Sequence, residues 1–326
     1  MCRLPFSALL MTVPVLFAAA ADAMAAQDYP VKPVRMIVAS PPGGSPDILA
    51  RTLSQRLGEN LGQQVVVDNR AGASGIIGTE IAAQAAADGH TLFFGTSTLY
   101  AILPVLKTGL PYDIARDFSS ITQVASASNV LVVNPSVAAK SVAELVQLAK
   151  ARPGALNYAS AGRGTPAHLA GEMLNVTANI RMTHVPYKGA GPALLDVIAG
   201  QVQLIMTSPI AAGPHISSGK VRALATTGPR RNPALPDLPT IAETVPGYEI
   251  TQWWGLSVPA KTPRAITGRL HAETVKVLNL PDIRDRILRS GAAPVGNKPQ
   301  EFDAFIAAER RRISDLIRKA KITLDD

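Results

Sequence analysis

Residues 34–57, VRMIVASPPGGSPDILARTLSQRL, set a strand, a glycine loop and a helix in immediate succession. Residues 34–39 are apolar and β-branched enough for a strand, and 48–57 place apolar side chains at helical spacing. The link between them is turn chemistry: Ser40-Pro41-Pro42-Gly43-Gly44-Ser45-Pro46-Asp47. Ser45 is placed to cap the helix, Pro46 suits its first position and Asp47 its first turn. The alternation continues outward. Strands are expected over 64–68, 91–95, 130–133, 156–159, 181–185 and 202–206, and helices over 76–87, 142–149, 168–174 and 193–199. This is an α/β pattern, predicting parallel-rich sheets flanked by helices. Residues 253–258 read as a strand returning to the first sheet after the last strand–helix pair. No internal repeat or low-complexity linker separates two halves.

The chain has 326 residues, 47% of them hydrophobic and 17% charged, enough apolar side chains for two cores and too many for a disordered chain. Its single cysteine, Cys2, excludes a disulfide framework, a cysteine-ligated zinc and a catalytic thiol in the body. Arg3, an apolar run over 8–21 and Ala23-Met24-Ala25 have the form of a secretory signal peptide, residues 1–25, cleaved near Ala25. The run is shorter than the roughly 20 residues a spanning helix needs, and Pro14 interrupts it. An exported protein of the bacterial periplasm is expected. The net charge of +8 sits largely near the C-terminus, in Glu309-Arg310-Arg311-Arg312 and Arg318-Lys319-Ala320-Lys321. Phe302, Phe305, Ile306, Ile313, Leu316 and Ile317 recur there at helical spacing, so the stretch reads as an amphipathic helix with a basic, solvated face. No nucleic-acid partner is expected of an exported chain.

Three further loops share the chemistry of the first: Asn69-Arg70-Ala71-Gly72-Ala73-Ser74-Gly75, Gly95-Thr96-Ser97-Thr98 and Ser160-Ala161-Gly162-Arg163-Gly164-Thr165-Pro166. Thr165 is placed as a helix cap and Pro166 at the first helical position. Glycines let backbone approach a ligand closely, and free amides at helix N-termini favour an anion. In α/β sheets such loops gather at the carboxyl ends of strands, where ligands bind. Gly162 to Ala167 also matches a dinucleotide fingerprint. It lies mid-chain, however, and Pro166 stiffens the turn, so no cofactor is expected. A phosphate-binding P-loop pattern fails at Gly213 to Gly219. The rival reading is a secreted α/β hydrolase acting on a small carboxylic ester or amide. Ser74, Ser97 and Ser160 lie near glycines, but none completes the nucleophile-elbow pattern. His90, His168, His184, His215 and His271 show no metal-ligand spacing. No catalytic residue and no metal site are assigned.

Longer motifs run from about Tyr29 to the C-terminus. They include Pro42-Gly43-Gly44 with Asp47 and Arg51, Ala87-Asp88-Gly89-His90-Thr91-Leu92, Gly164-Thr165-Pro166-Ala167-His168-Leu169-Ala170-Gly171-Glu172, His184-Val185-Pro186-Tyr187-Lys188-Gly189 and Leu235-Pro236-Asp237-Leu238-Pro239-Thr240. With these motifs in this order the sequence resembles the Bug receptors, the substrate-binding proteins of the tripartite tricarboxylate transporter class. The resemblance implies a two-lobed periplasmic binding protein fold of the type II, flytrap kind. It implies a solute receptor rather than an enzyme, a small di- or tricarboxylic or aromatic acid as ligand, and transporter membrane subunits as partners. A monomer is expected. The first lobe should be discontinuous, residues 27–127 and 251–326, with 128–250 forming the second.

Carried over by position, the resemblance places a ligand carboxylate against Pro41, Gly43, Gly44, Ser74, Thr96, Ser97, Gly162, Gly164 and Thr165. Family members often carry an acidic residue after the strand at 202–206; here Thr207 takes that ligand-binding place, which argues against an amino-acid ligand. Ser40 replaces a common aromatic residue and should widen the pocket. The carboxylate should meet the helix N-termini after Gly44, Gly75 and Gly164, with Arg163 and Lys188 ranked second as ion-pair donors. Of Trp253-Trp254, one is expected in the core and one at the hinge, with ligand stacking as the alternative.

Overall fold

The computed structural model describes residues 29–187, 189–232 and 235–320. The signal-peptide segment and Lys188 lie outside the described residues. The chain begins β1 (Val34–Val38), α1 (Ser45–Leu61), β2 (Val65–Asn69), α2 (Ile76–Ala83), β3 (Thr91–Thr96), α3 (Leu103–Leu106), α4 (Ile114–Asp117) and β4 (Phe118–Ser128). It continues with β5 (Val130–Val133), α5 (Val142–Ala151), β6 (Asn157–Ser160), α6 (Pro166–Thr177), β7 (Thr183–Pro186), α7 (Ala190–Ile198), β8 (Leu204–Thr207), α8 (Pro209–Ser217) and β9 (Arg222–Thr226). It ends with β10 (Thr251–Pro259), α9 (Arg264–Leu278), α10 (Pro281–Arg289), β11 (Ala292–Pro294) and α11 (Pro299–Ala320).

Two sheets result, one ordered β11-β4-β10-β3-β1-β2 and the other β7-β6-β8-β5-β9. Both are mixed. β2, β1 and β3 are parallel, and β10 joins them antiparallel. In the second sheet β7, β6 and β8 are parallel, and β5 runs antiparallel between β8 and β9. The parallel halves come from the βαβ units expected from periodicity. The antiparallel halves come from β4, β5, β9 and β10, which carry the chain between the sheets. β4 and β9 escape a periodicity reading. β4 is largely Ser, Ala and Thr, and small side chains between close neighbours leave little alternation to detect.

Alternation along the strands of the first sheet fills two cores. Met36, Val38, Leu92, Phe94 and Trp254 pack under α1 and α9, while Ile37, Phe93 and Trp253 face Tyr100 and Phe302. Trp253 and Trp254 point to opposite faces because side chains alternate along β10. Both are buried in core clusters, which leaves neither face open for stacking on a ligand, and Trp254 also borders a small void with Asn129 and Gln252. Trp253 stacks on Tyr100 at 5.5 Å and meets Phe302 edge-on at 5.7 Å. Its indole N–H donates to Glu309 at 3.3 Å, and Glu309 is paired with Arg312 at 2.8 Å. Phe302 and Ile306 of α11 thus pack on the first sheet, whereas Ile313 and Leu316 pack on the second. The basic run in this helix is only partly a solvated face. Arg310 donates to the Tyr100 carbonyl and Arg312 to the Glu249 carbonyl.

The chain crosses between the sheets at Asn129 and again near Ile250, and Thr227 ties the crossings together. Its N–H donates to Asn129 O at 2.9 Å, its hydroxyl accepts from Asn129 N–H at 2.9 Å, and its carbonyl accepts from Ile250 N–H at 3.0 Å. Trp253→Ala should cost about 3–5 kcal/mol in urea unfolding, since it opens a cavity and strips Glu309 of a donor. A loss below about 1 kcal/mol would show that the aromatic cluster does not hold the first sheet to α11.

Candidate functional site

The loop after β1 is built by its own acid. Asp47 is buried, accepts from Gly43 N–H at 2.9 Å and is paired with Arg51 at 2.9 Å. Arg51 reaches Asn69, which in turn donates to the Ser40 carbonyl at 3.1 Å, so β1's loop is laced to the end of β2. Burial works to raise the Asp47 pKa. Hydrogen bonds from Arg51, Gly43 N–H and Asn69 outweigh it and hold the carboxyl below its usual range. Gly43 takes φ +81°, a left-handed turn that glycine adopts without cost. The helix cap is Gly44, one residue before the expected Ser45, and no side chain caps α1. The first amides of that helix therefore lack a capping partner, as an anion site requires.

In the second sheet the loop after β6 is fixed from beneath. Thr165 caps α6 by accepting from His168 N–H, with Pro166 in the first turn, as the sequence predicts. Gly164 N–H donates to Nδ1 of His168 at 3.0 Å, and Gly162 N–H donates to Ser160 Oγ at 3.1 Å. These two amides shape the loop and are already engaged. His168 stacks on His184 at 4.1 Å, and His184 lies 2.6 Å from Ser160 Oγ. Burial pushes the His168 pKa down to about 4. Burial, then the neighbouring His168 and Arg163, push that of His184 down to about 3. Both rings are therefore neutral at pH 7, and Nδ1 of His168 is free to accept the Gly164 proton.

Between the sheets lies a cleft of about 600 Å³. Gly43, Gly44, Ser45, Pro46 and Gln252 enter from the first sheet's side, and Asn129 sits at the crossing. Thr165, Pro166, Ala190, Gly191, Thr207 and Ser208 face them from the second. These are the N-terminal ends of four helices: α1, α6, α7 and α8. Among the described residues lining the cleft, none carries an ionisable side chain; Ile48, Ile205, Met206 and Ala211 supply apolar wall. Each helix N-terminus carries about half an elementary positive charge, so the cleft offers anions a favourable field without a cation.

Of the residues expected from sequence, the cleft gathers Gly43, Gly44, Thr165 and Thr207. Ser97 lines a small neighbouring void with Pro166 and Thr251, and its buried hydroxyl has no hydrogen-bond partner among the described residues. Pro41, Ser74, Thr96, Gly162 and Gly164 do not line the cleft, and Ser74 is exposed with φ +57°. α2, which follows Gly75, does not contribute its N-terminus to this wall. Sequence reading expected the α7 helix but not its N-terminus as part of the site, and it missed α8, Asn129 and Gln252. The signal was present in Gly189-Ala190-Gly191-Pro192 and Ser208-Pro209, each a small residue and a proline opening a helix after a strand. Ser160 and His184 form a close Ser–His pair, but Ser160 is buried beneath its loop. The hydrolase reading finds no support there.

Two mixed α/β sheets, with a polar cleft between the carboxyl ends of their parallel strands that is uncharged among its described lining residues, define a two-lobed solute-binding protein of the periplasmic type. Residues 49–322 match the tripartite tricarboxylate transporter family receptor, and the chain belongs to that family. It is 36% identical to protein BugT of Bordetella pertussis, over 95% of this chain and 97% of BugT. An R. palustris protein solved with adipate is 35% identical, covers 91% of this chain and 99% of its own, and superposes with a TM-score of 0.82. MatC from Rhodopseudomonas palustris, solved with malate, is 30% identical over 89% of this chain and all of its own (100%), with a TM-score of 0.76. The family consists of periplasmic substrate-binding receptors.

The stacked histidines, His168 buried and His184 half-buried, give a pH signature. Their folded pKa values lie below the unfolded value of about 6.5, so the unfolded chain binds protons first as pH falls. Stability from this pair is complete above about pH 6.5 and drains away between there and about pH 3. Calorimetric melting midpoints should fall steadily from pH 6.5 to 4, and the slope should shrink in His184→Gln. A flat midpoint over that window would contradict the buried neutral pair.

Proposed function

We propose that this chain is an exported receptor that captures a small carboxylated metabolite in the cleft between its sheets and presents it to membrane subunits for uptake. The observation that carries the reading is four helix N-termini converging on a cleft whose described lining residues include no ionisable side chain. The adipate and malate bound by relatives are ligands of the chemistry such a cleft favours. The lobes are residues 27–127 with 251–326, and 128–250, and the first 25 residues direct export. The protein acts as a monomer and catalyses no reaction on its ligand.

In this reading the carboxylate meets backbone amides at the start of α1 and α6, with Gly43, Gly44, Thr165 and Thr207 around it. Pro41, Gly162 and Gly164 shape the loops that carry those groups. Ser74, Thr96 and Ser97 join the contacts when the lobes close. An aliphatic dicarboxylate suits the field best: about half a charge from each of four helices approaches the two charges of the ligand. An α-amino acid suits it less, because no described lining residue is acidic.

Calorimetric titration with adipate, malate, citrate and glutamate tests this. A dicarboxylate should bind, and glutamate should bind more weakly. Thr207→Asp sets a carboxylate among the helix N-termini and should weaken the dicarboxylate by more than about a hundredfold, roughly 2.8 kcal/mol. Arg163→Ala, at an exposed position, should change affinity less than tenfold, about 1.4 kcal/mol. Loss of binding in Arg163→Ala with retention in Thr207→Asp would overturn the backbone-amide mechanism. Turnover of generic esters or amides would overturn the receptor reading.

A further inference from the structure

The cavity of about 940 Å³ bounded by α4, α9 and α11 shares no lining residue with the ligand cleft and is the larger of the two. Its floor is the start of β4, Phe118 to Ser120. On its inner side β4 pairs with β10, Phe118 standing opposite Pro259 and Ser120 opposite Ser257. On its outer side β11 pairs only with Ala125 to Ala127, and Asn297 then covers Thr122 and Gln123 through its carbonyl and side chain. Beyond that point no strand pairs with the edge among the described residues.

The phase of the ladder says which groups are left outward. Ala260 N–H donates to Asp117 O at 2.7 Å, so the Asp117 carbonyl and, two residues on, Ser119 face β10, while the Asp117 N–H closes α4 by donating to Asp113 O. Phe118 and Ser120 turn theirs to the outer edge, in keeping with Pro259, which has no N–H to offer Phe118. Exposed edges with unpaired donors and acceptors are templates for an added strand.

The rim of the same cavity is positive. Arg264, Arg310 and Arg311 line it against Asp303. Among the described residues none of the three arginines forms an ion pair; Asp113 attracts Arg310 only at a distance. Arg310 is half-buried and donates to the Tyr100 carbonyl at 2.8 Å, but no carboxylate among the described residues pairs with its charge. We propose that this open edge of β4 docks an extended, acidic segment of a partner protein, which adds a strand at Phe118 and Ser120 and sets carboxylates against the three arginines. A second copy of this chain fits poorly, because it would bring the same positive rim and a net charge of +8.

The test uses the mature protein and capped decapeptides alternating glutamate or lysine with threonine. Calorimetry should show one saturable site for the glutamate peptide and none for the lysine peptide. Amide exchange at Phe118 and Ser120 should slow when the glutamate peptide binds. The double variant Arg264→Glu/Arg311→Glu, at exposed positions, should weaken the peptide at least tenfold and leave dicarboxylate binding in the cleft unchanged. Ser120→Pro removes an outward donor and should weaken it as well. Absence of peptide binding would overturn the proposal. So would binding without protection at Phe118 and Ser120, which would mark a charged patch, or self-association of the free protein through this edge.

Discussion

Everything the cleft does depends on the join at Thr227. One residue binds both chain crossings, accepting and donating at Asn129 and accepting from Ile250. The sheets are thereby set so that the carboxyl ends of their parallel strands confront each other. α11 spans the same junction from the side, with Phe302 in one core and Ile313 and Leu316 in the other. A hinge of a few backbone bonds and a helix shared by both cores together fix which loops can meet.

The cleft those constraints create handles charge through the backbone. A carboxylate leaving water needs hydrogen bonds and positive potential at once. Here both come from helix starts, among them the uncapped start of α1, and side chains serve instead to hold the loops. Asp47 engages Gly43, and His168 engages Gly164. The conspicuous polar residues of the motifs are thus supports placed behind or within the loops. Their burial explains the lowered pKa of His168 and His184 without any role in proton transfer.

The strand–loop–helix rhythm was legible in the sequence because periodicity and Gly-Ser-Pro turn chemistry are local properties. So was the cap at Thr165, whose hydroxyl needs a partner only three residues away. The cap at Gly44 was misread by one residue because Ser45 looks equally apt until the backbone angles are known. Small-residue strands such as β4 left no periodic trace, and with them the mixed character of both sheets stayed hidden.

The sequence by itself determined the α/β class, the family and the polar, glycine-lined chemistry of the strand ends. Only the tertiary structure decided which helix starts face one another. α7 and α8 carry the same small-residue and proline signature as α1 and α6, whereas the loop before α2 carries a richer one and lies elsewhere. Local chemistry makes a loop able to bind an anion. Whether it meets a ligand is set by strand order and by the crossings at Asn129 and Ile250, which depend on contacts between residues far apart in the chain.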